Sequence, residues 1–327
     1  MRVTVTGSSG FLGVHLIQRL LSEGHEVTEL RRTPSEQPTT TRIVQGDITE
    51  YNRVVEAVKG AEVVYHLAGV LYRPDLPESL FWQTHVGGTD NVLRAIQTEA
   101  DGALLVHCST TGVFGDISRG QGSLPDEDAP HHPTNPYEST KSQAEKAVLL
   151  AHQLGRVRAT VIRPGLVYGP GDLHLLGLFR MIKKGWFRLI GPGDNLFHPI
   201  FIDEMTTAFQ LAASSSQAQG RAYNIAGAAP VTFREFCNAI SLQLTGQPVP
   251  GPSIPLGLAK AIGWTLEYTP GVGLAKAPLT RSRVQFLTSQ RAYRVERARQ
   301  ELGFVAGLDL KEGVRHTVEW YQANGLL

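Results

Sequence analysis

Two rhythms of apolar residues alternate along the first half of the chain. Short runs rich in Val, Ile and Leu read as strands: residues 3–6, then "HEVTEL", "TRIVQGDI", "AEVVYHLAG", "ALLVHCST" and "RATVIRPG". Between them the apolar positions recur with helical period. In "GFLGVHLIQRLLSEG", Leu12, Leu16 and Leu20 fall at i+4, Ile17 and Leu21 widen the stripe, and Gly24 is a stop. The same period predicts helices over 78–100 and 136–154. Apolar strands alternating with amphipathic helices predict an α/β fold, a Rossmann-type doubly wound parallel sheet covered on both faces.

Beyond Pro164 the rhythm changes. "GLVYGPGDLHLLG" and "LIGPGDNLFHP" are Gly- and Pro-rich loops around a helix at about 175–184, "RAYNIAG" is one more strand, and the remainder is mostly helical. The expected organisation is a nucleotide-binding domain over 1–170 to which 200–227 return. A smaller, mostly helical substrate lobe is then built from 171–199 and 228–327.

With 327 residues and 42% hydrophobic content, the chain can bury a sizeable core. Its net charge of +1 gives no electrostatic case for a nucleic-acid partner. Cys108 and Cys237 stand far apart without companions, which excludes a disulfide framework and fits a cytoplasmic, reducing setting. "MRVTVTG" lacks the pattern of a secretory signal. The apolar helical stretch 254–266 is too short to span a bilayer, so no transmembrane segment is expected, although it could lie on a membrane surface. The histidines give no metal case, with His131 and His132 lying together in a proline-flanked loop.

The first candidate chemistry is "TGSSGFLG", which sets Gly7, Gly10 and Gly13 between the first strand and the first helix. Gly7 permits the sharp turn, Gly10 lets backbone approach a pyrophosphate, and Gly13 allows close helix–strand packing. Ser9, Phe11 and Leu12 belong to the same turn, where the helix N-terminus offers N–H groups to phosphate. At the end of the second strand, Arg31 and Arg32 can pair with a 2′-phosphate, pointing to NADP, while nearby Glu29 keeps NAD open. Asp47 and Ile48 fall where an adenine edge would sit. Leu67, Ala68 and Gly69 end the fourth strand with small residues suited to a close cofactor.

The second is "TNPYESTK". Asn135 as N-cap, Pro136 at N1 and Glu138 at N3 complete a capping-box pattern, putting Tyr137 in the first turn of a helix and Lys141 one turn on. An ammonium near the phenol favours the phenolate, so Tyr137 could exchange a proton with a secondary alcohol or ketone as hydride moves. The preceding strand ends in "STT", placing Ser109, Thr110 and Thr111 at the rim where open α/β sheets bind ligands.

In this order and spacing, "TGSSGFLG", "GDI", "YHLAG", "HVGGTDNVLRA", "STTGVFG", "PYESTK" and "RPGLVYGPGD" give a chain that resembles the extended short-chain dehydrogenase/reductases over essentially its whole length. The resemblance implies a catalytic set of Thr110, Tyr137 and Lys141, with Ser109 as the adjacent alternative. It also implies that Lys141 binds the nicotinamide ribose, that Pro164, Gly165 and Val167 border the nicotinamide, and that the protein is a homodimer through the helices at 78–100 and 136–154. One departure stands out: His85 replaces the asparagine usual in the family's "NVxGT", putting local geometry in doubt.

The lobe looks most like the 3β-hydroxysteroid dehydrogenase-like branch. Trp186, Phe187, Trp264, Leu266 and Tyr268 suit an apolar ligand or simple core packing. Nucleotide-sugar epimerases and dehydratases of the family carry a diphosphate-gripping arginine near the position of Phe197 and His198, although Arg281 and Arg283 could supply charge instead. An alcohol–ketone oxidoreductase is therefore the expected function. A sugar-nucleotide epimerase with tightly held NAD is the alternative, and a non-catalytic NAD(P) sensor the third.

Overall fold

The computed structural model describes residues 1–34, 40–117, 123–268 and 280–327. Its frame is a parallel sheet of β1 (Arg2–Thr6), β2 (Glu26–Arg31), β3 (Arg42–Gln45), β4 (Val63–His66), β5 (Leu104–Cys108), β6 (Arg158–Pro164) and β7 (Ala222–Ile225), in the order β7-β6-β5-β4-β1-β2-β3. The winding reverses between β1 and β4, which opens a crevice at their C-terminal ends. Strands apolar on both sides explain the continuous runs. Val63, Tyr65, Leu104 and Val106 pack into one core with Leu16, Leu20 and Phe209, while Val64 and Leu105 pack into the other with Val92, Ile96 and Val148.

A third core, around Phe179, Phe197, Phe236, Val318 and Tyr321, joins the helices Leu176–Lys183, Phe233–Thr245 and Leu310–Ala323. Phe187, expected as a possible ligand contact, is buried in this core against Phe233. Trp186 is 73% exposed, with the Lys184 ammonium over its ring. The Tyr268 side chain lies outside the described residues, and no described helix is long and apolar enough to cross a membrane.

Two helical details differ from expectation. The segment 78–100 is not one α-helix but α-helical Glu78–Phe81, a π-helical Trp82–Gly87 and α-helical Gly88–Glu99. Gly88 rests so closely on Ile48 that an added Cβ would stand 2.9 Å from that side chain, and the wider π turn carries buried His85. At the helix Pro136–Gln153, Asn135 accepts the Glu138 N–H at 3.0 Å as a cap should. The Glu138 carboxylate does not complete the box. It accepts instead from the N–H and hydroxyl of Thr134, both at 2.8 Å, because it also faces Arg291.

Candidate active site

The glycine turn fits a dinucleotide. Gly7 has φ +71°, and a Cβ there would meet the backbone of Ala68 and Leu67 at 2.7–2.8 Å. At Gly13 it would stand 2.3 Å from the Gly7 carbonyl oxygen, so no side chain is tolerated at either position. Gly10 is different. Its Cβ would meet only that same oxygen, at 3.2 Å, leaving an open side beside exposed Ser9. The helix Phe11–Ser22 starts at Gly10 without a side-chain cap, so its first N–H groups face that opening, where a pyrophosphate would be held. Phe11 and Leu12 are half-buried in the same turn.

Around the crevice, Arg31 lies 3.6 Å from buried Glu29, whose other oxygen accepts the Thr41 hydroxyl at 2.6 Å. Arg32 is exposed. Asp47 accepts from the Thr49 N–H and hydroxyl at 2.9 and 2.8 Å, a local turn that presents buried Ile48 to Gly88. Leu67 and Ala68 are tied to β1: the Leu67 N–H donates to the Thr6 carbonyl at 3.1 Å and the Ala68 N–H to the Thr6 hydroxyl at 3.3 Å. Gly69 is exposed, and a Cβ on it would stand 3.3 Å from both His85 Nε2 and Lys141 Nζ. Across the crevice, Pro164 is buried, and a Cβ at Gly165 would stand 2.4 Å from the His198 carbonyl oxygen. Val167 lies in the strand Leu166–Tyr168 paired with Pro199–Phe201.

The three rim hydroxyls have separate fates. Ser109 is buried and donates to Glu145 Oε2 at 2.6 Å, and Thr111 donates to the Pro164 carbonyl at 3.0 Å. Thr110 accepts the Gly112 N–H at 3.0 Å, and its side chain lies close enough to the Tyr137 phenol to favour the phenolate. Of the adjacent pair, Thr110 therefore meets the phenol and Ser109 faces away from it.

Lys141 is buried and donates from Nζ to the Cys108 carbonyl at 2.8 Å. Burial pushes its pKa down, with nearby Cys108 and Glu145 opposing. The Tyr137 phenol is raised well above its ordinary value, chiefly by burial and then by Cys108, with the Thr110 hydroxyl and Arg291 opposing. That corrects the expected depression. The ammonium is fixed on a carbonyl, and desolvation of the phenolate dominates. In the protein alone, Tyr137 holds its proton.

His85 occupies the asparagine position and keeps the geometry. Its Nε2 accepts the Val70 N–H at 3.0 Å, and since an amide can only donate, Nδ1 carries the proton. Nδ1 then donates to Thr140 Oγ1 at 2.8 Å, and that hydroxyl donates to the Pro136 carbonyl at 2.8 Å. Burial, with the Lys141 charge second, lowers the His85 pKa to about 2, so the ring stays neutral. It also packs edge-on to Tyr137, centroids 5.4 Å apart.

A buried ionic group behind the rim was not foreseen. Arg163 pairs with Glu145 and donates from Nη1 to the Glu127 carbonyl at 2.9 Å. His131 hydrogen-bonds Ser142 at 2.8 Å and lies 3.2 Å from Arg163 Nη2. The legible signal was Glu145, four residues after Lys141 on the face that carries Tyr137. Among the described residues no group of histidines, cysteines and carboxylates could hold a metal.

Known proteins share this organisation. The chain is 31% identical to the 2-alkyl-3-oxoalkanoate reductase of Stenotrophomonas maltophilia, over 96% of this chain and 98% of that protein. It is 26% identical to the decarboxylating sterol-4-alpha-carboxylate 3-dehydrogenase of Candida albicans, over 97% of both chains. Among solved structures, MoeE5 in complex with UDP-glucuronic acid and NAD superposes with a TM-score of 0.76 at 25% identity, covering 99% of this chain and 100% of that one. A model of the NAD dependent epimerase/dehydratase family matches residues 3–226. The chain belongs to that family, within the extended short-chain dehydrogenase/reductases, and is an enzyme of the kind that includes dehydrogenases, reductases and epimerases.

Proposed function

We propose that this enzyme interconverts a secondary alcohol and a ketone on a mainly apolar substrate, with NADP(H) preferred over NAD(H). The carrying observation is the convergence of Tyr137, Thr110 and Lys141 at the ends of β4 and β5, across the crevice from the uncapped glycine turn. Bound there, the nicotinamide dinucleotide supplies or accepts the hydride. Tyr137 gives its proton to the carbonyl oxygen in reduction and takes it back in oxidation, while Thr110 orients that oxygen. Lys141 and the neutral His85 hold the two walls in register. Exposed Arg32 is the group for a 2′-phosphate, because Arg31 leans on Glu29.

The relatives' names support the reaction class. A 2-alkyl-3-oxoalkanoate and a sterol-4-alpha-carboxylate both place a carboxylate one carbon from the carbon that is reduced or oxidised, on an otherwise apolar body. The MoeE5 likeness favours a second reading, a sugar-nucleotide epimerase. Against it, Phe197 is buried in the third core, and His198 spends both ring nitrogens on Gly227 and Tyr293, so neither can grip a diphosphate. The test is turnover with added cofactor. NADPH oxidation on an apolar 3-oxo ester without any change in UDP-glucose supports the proposal; tightly bound NAD and sugar epimerisation without added cofactor would sink it.

A further inference from the structure

The helix Leu256–Tyr268 is turned inside out for one that serves only its own core. It packs inward through small residues. Ala259 is fully buried beside Ile190 and Val284, and a Cβ on buried Gly263 would stand 3.2 Å from the Arg281 backbone nitrogen. Its large side chains face out: Leu258 is 53% and Trp264 56% exposed, and Leu256 and Ile262 are exposed as well. An amphipathic helix folded onto a core has the opposite arrangement, with large apolar residues inward and charge outside.

The surface beside this helix is cationic. The Ile254 N–H donates to the Leu189 carbonyl at 2.7 Å, and the Gly191 N–H to the Ile254 carbonyl at 2.8 Å. These bonds bring the turn at 183–188 to the head of the helix, adding exposed Trp186, Lys183 and Lys184 to exposed Lys260. No carboxylate occurs in the sequence from 173 to 193, or from 236 to 266. Glu267, the next one, is held by Arg281, whose Nε donates to it at 2.6 Å. Tyr72, three residues past Gly69, lies close enough to Ser282 and Glu267 for both to act on its phenol. The helix therefore borders the loop that leads to the crevice.

Tryptophans and leucines set among lysines complement a surface that is apolar within and anionic at its edge, the interfacial zone of a bilayer. A second copy complements them poorly, because two-fold pairing sets such a patch on itself and brings lysines against lysines. We propose that the helix Leu256–Tyr268 and the adjoining turn dock on an anionic phospholipid surface. Leu258, Ile262 and Trp264 seat at the acyl boundary, and Lys183, Lys184 and Lys260 meet the phosphates. With 13 residues the helix lies in the surface and does not cross it. The docking surface stands independently of the alcohol–ketone reading, because binding is measured without turnover.

The test is flotation of the full chain with vesicles of phosphatidylcholine, alone or mixed with phosphatidylglycerol. The wild type should bind the mixed vesicles at least about tenfold tighter than the neutral ones, and high salt should weaken that binding. Lys183→Gln/Lys184→Gln should lose at least about tenfold on mixed vesicles, since each cation near such a surface contributes about fivefold. Leu258→Gln/Ile262→Gln should also lose at least about tenfold there. All four side chains are exposed, so melting temperature and cofactor affinity should stay unchanged in both variants. Brominated lipid should quench the wild-type tryptophan fluorescence, and Trp264→Phe should remove a clear part of that quenching. A wild type that does not float, or that floats equally well after Leu258→Gln/Ile262→Gln, overturns the proposal. Failure to float together with a dimer in sedimentation that Leu258→Gln/Ile262→Gln dissolves would overturn it too, and would assign the face to a second copy of the chain.

Discussion

His85 Nδ1 lies 2.8 Å from Thr140 Oγ1, so one neutral imidazole joins the loop after β4 to the helix that carries Tyr137 and Lys141. Replacing the ring with Phe leaves the Val70 N–H without its acceptor and releases the loop that walls the cofactor crevice. His85→Phe should lower stability by about 1 to 3 kcal/mol and weaken cofactor binding about tenfold. His85→Asn, which can both accept and donate, should recover most of each. Fluorescence titration with NADPH and NADH, with thermal melts, checks both. Equal losses in the two variants would mean that the ring's volume, not its hydrogen bonds, matters.

Thr110 and Ser109 are neighbours with opposite duties. Thr110→Ala removes the hydroxyl at the phenol and should lower kcat by about tenfold or more with little change in melting temperature. Ser109→Ala takes a donor from the buried Glu145–Arg163 pair and should cost about 1 to 3 kcal/mol of stability while turnover of the folded enzyme persists. Steady-state kinetics and melting curves on both variants separate the two roles. The reverse pattern would move the substrate-facing hydroxyl to Ser109.

Tyr137 keeps its proton through neutral pH in the protein alone, because its pKa is raised. In reduction it acts as the acid, so the rate should stay flat through neutral pH and fall only at strongly alkaline pH. Oxidation requires the deprotonated phenol, so its rate should climb as pH rises above neutral. Tyr137→Phe should lower kcat by about a hundredfold or more in both directions with cofactor affinity retained. Rates in both directions between pH 6 and 10 test the sign.

Burial lowers the pKa of His66 to about 3 and of His85 to about 2, and pushes His107, His131 and His198 downward as well. The unfolded chain binds protons at these rings near pH 6.5 and the folded protein does not. Their stabilising contribution is therefore present above that pH and is lost as pH falls through it. Each ring adds a slope of up to about 1.4 kcal/mol per pH unit below its unfolded pKa. The melting temperature should drop steeply from pH 7 to 5. Both ring nitrogens of His107 are buried without partners among the described residues. His107→Phe should accordingly stabilise the protein by about 1 kcal/mol and remove one proton from the slope. An unchanged slope in that variant would place the acid sensitivity elsewhere.

The glycine turn, the sheet and the Tyr137–Lys141 pair were legible because each depends on neighbours within a few residues. Gly7 must turn, Gly13 must pack, and a tyrosine one helical turn from a lysine shares its face. The preference for Thr110 over Ser109 came from the family resemblance alone; its physical basis, the capture of the Ser109 hydroxyl by Glu145, was not legible because it lies on another element. Nor was Arg291, whose partner Glu138 lies 153 positions away along the chain. The π turn at His85 escaped detection for a related reason: it answers to the packing of Gly88 on Ile48, and apolar periodicity does not record such an insertion. Trp186 and Phe187 show the limit of reading aromatics as ligand contacts, since one is exposed and the other is core.

The seventh strand has a consequence for how the molecule is made. β6 ends at Pro164, yet the strand that covers its edge, Ala222–Ile225, is translated only after the segment that builds much of the third core. On the ribosome, the nascent sheet must present β6 as a bare parallel edge for the time taken to add roughly 60 residues, several seconds at ordinary elongation rates. A chain truncated before residue 222 would keep that edge permanently open. Its fate should be self-association through β6, even though every residue named at the glycine turn and on the Tyr137 helix would be present.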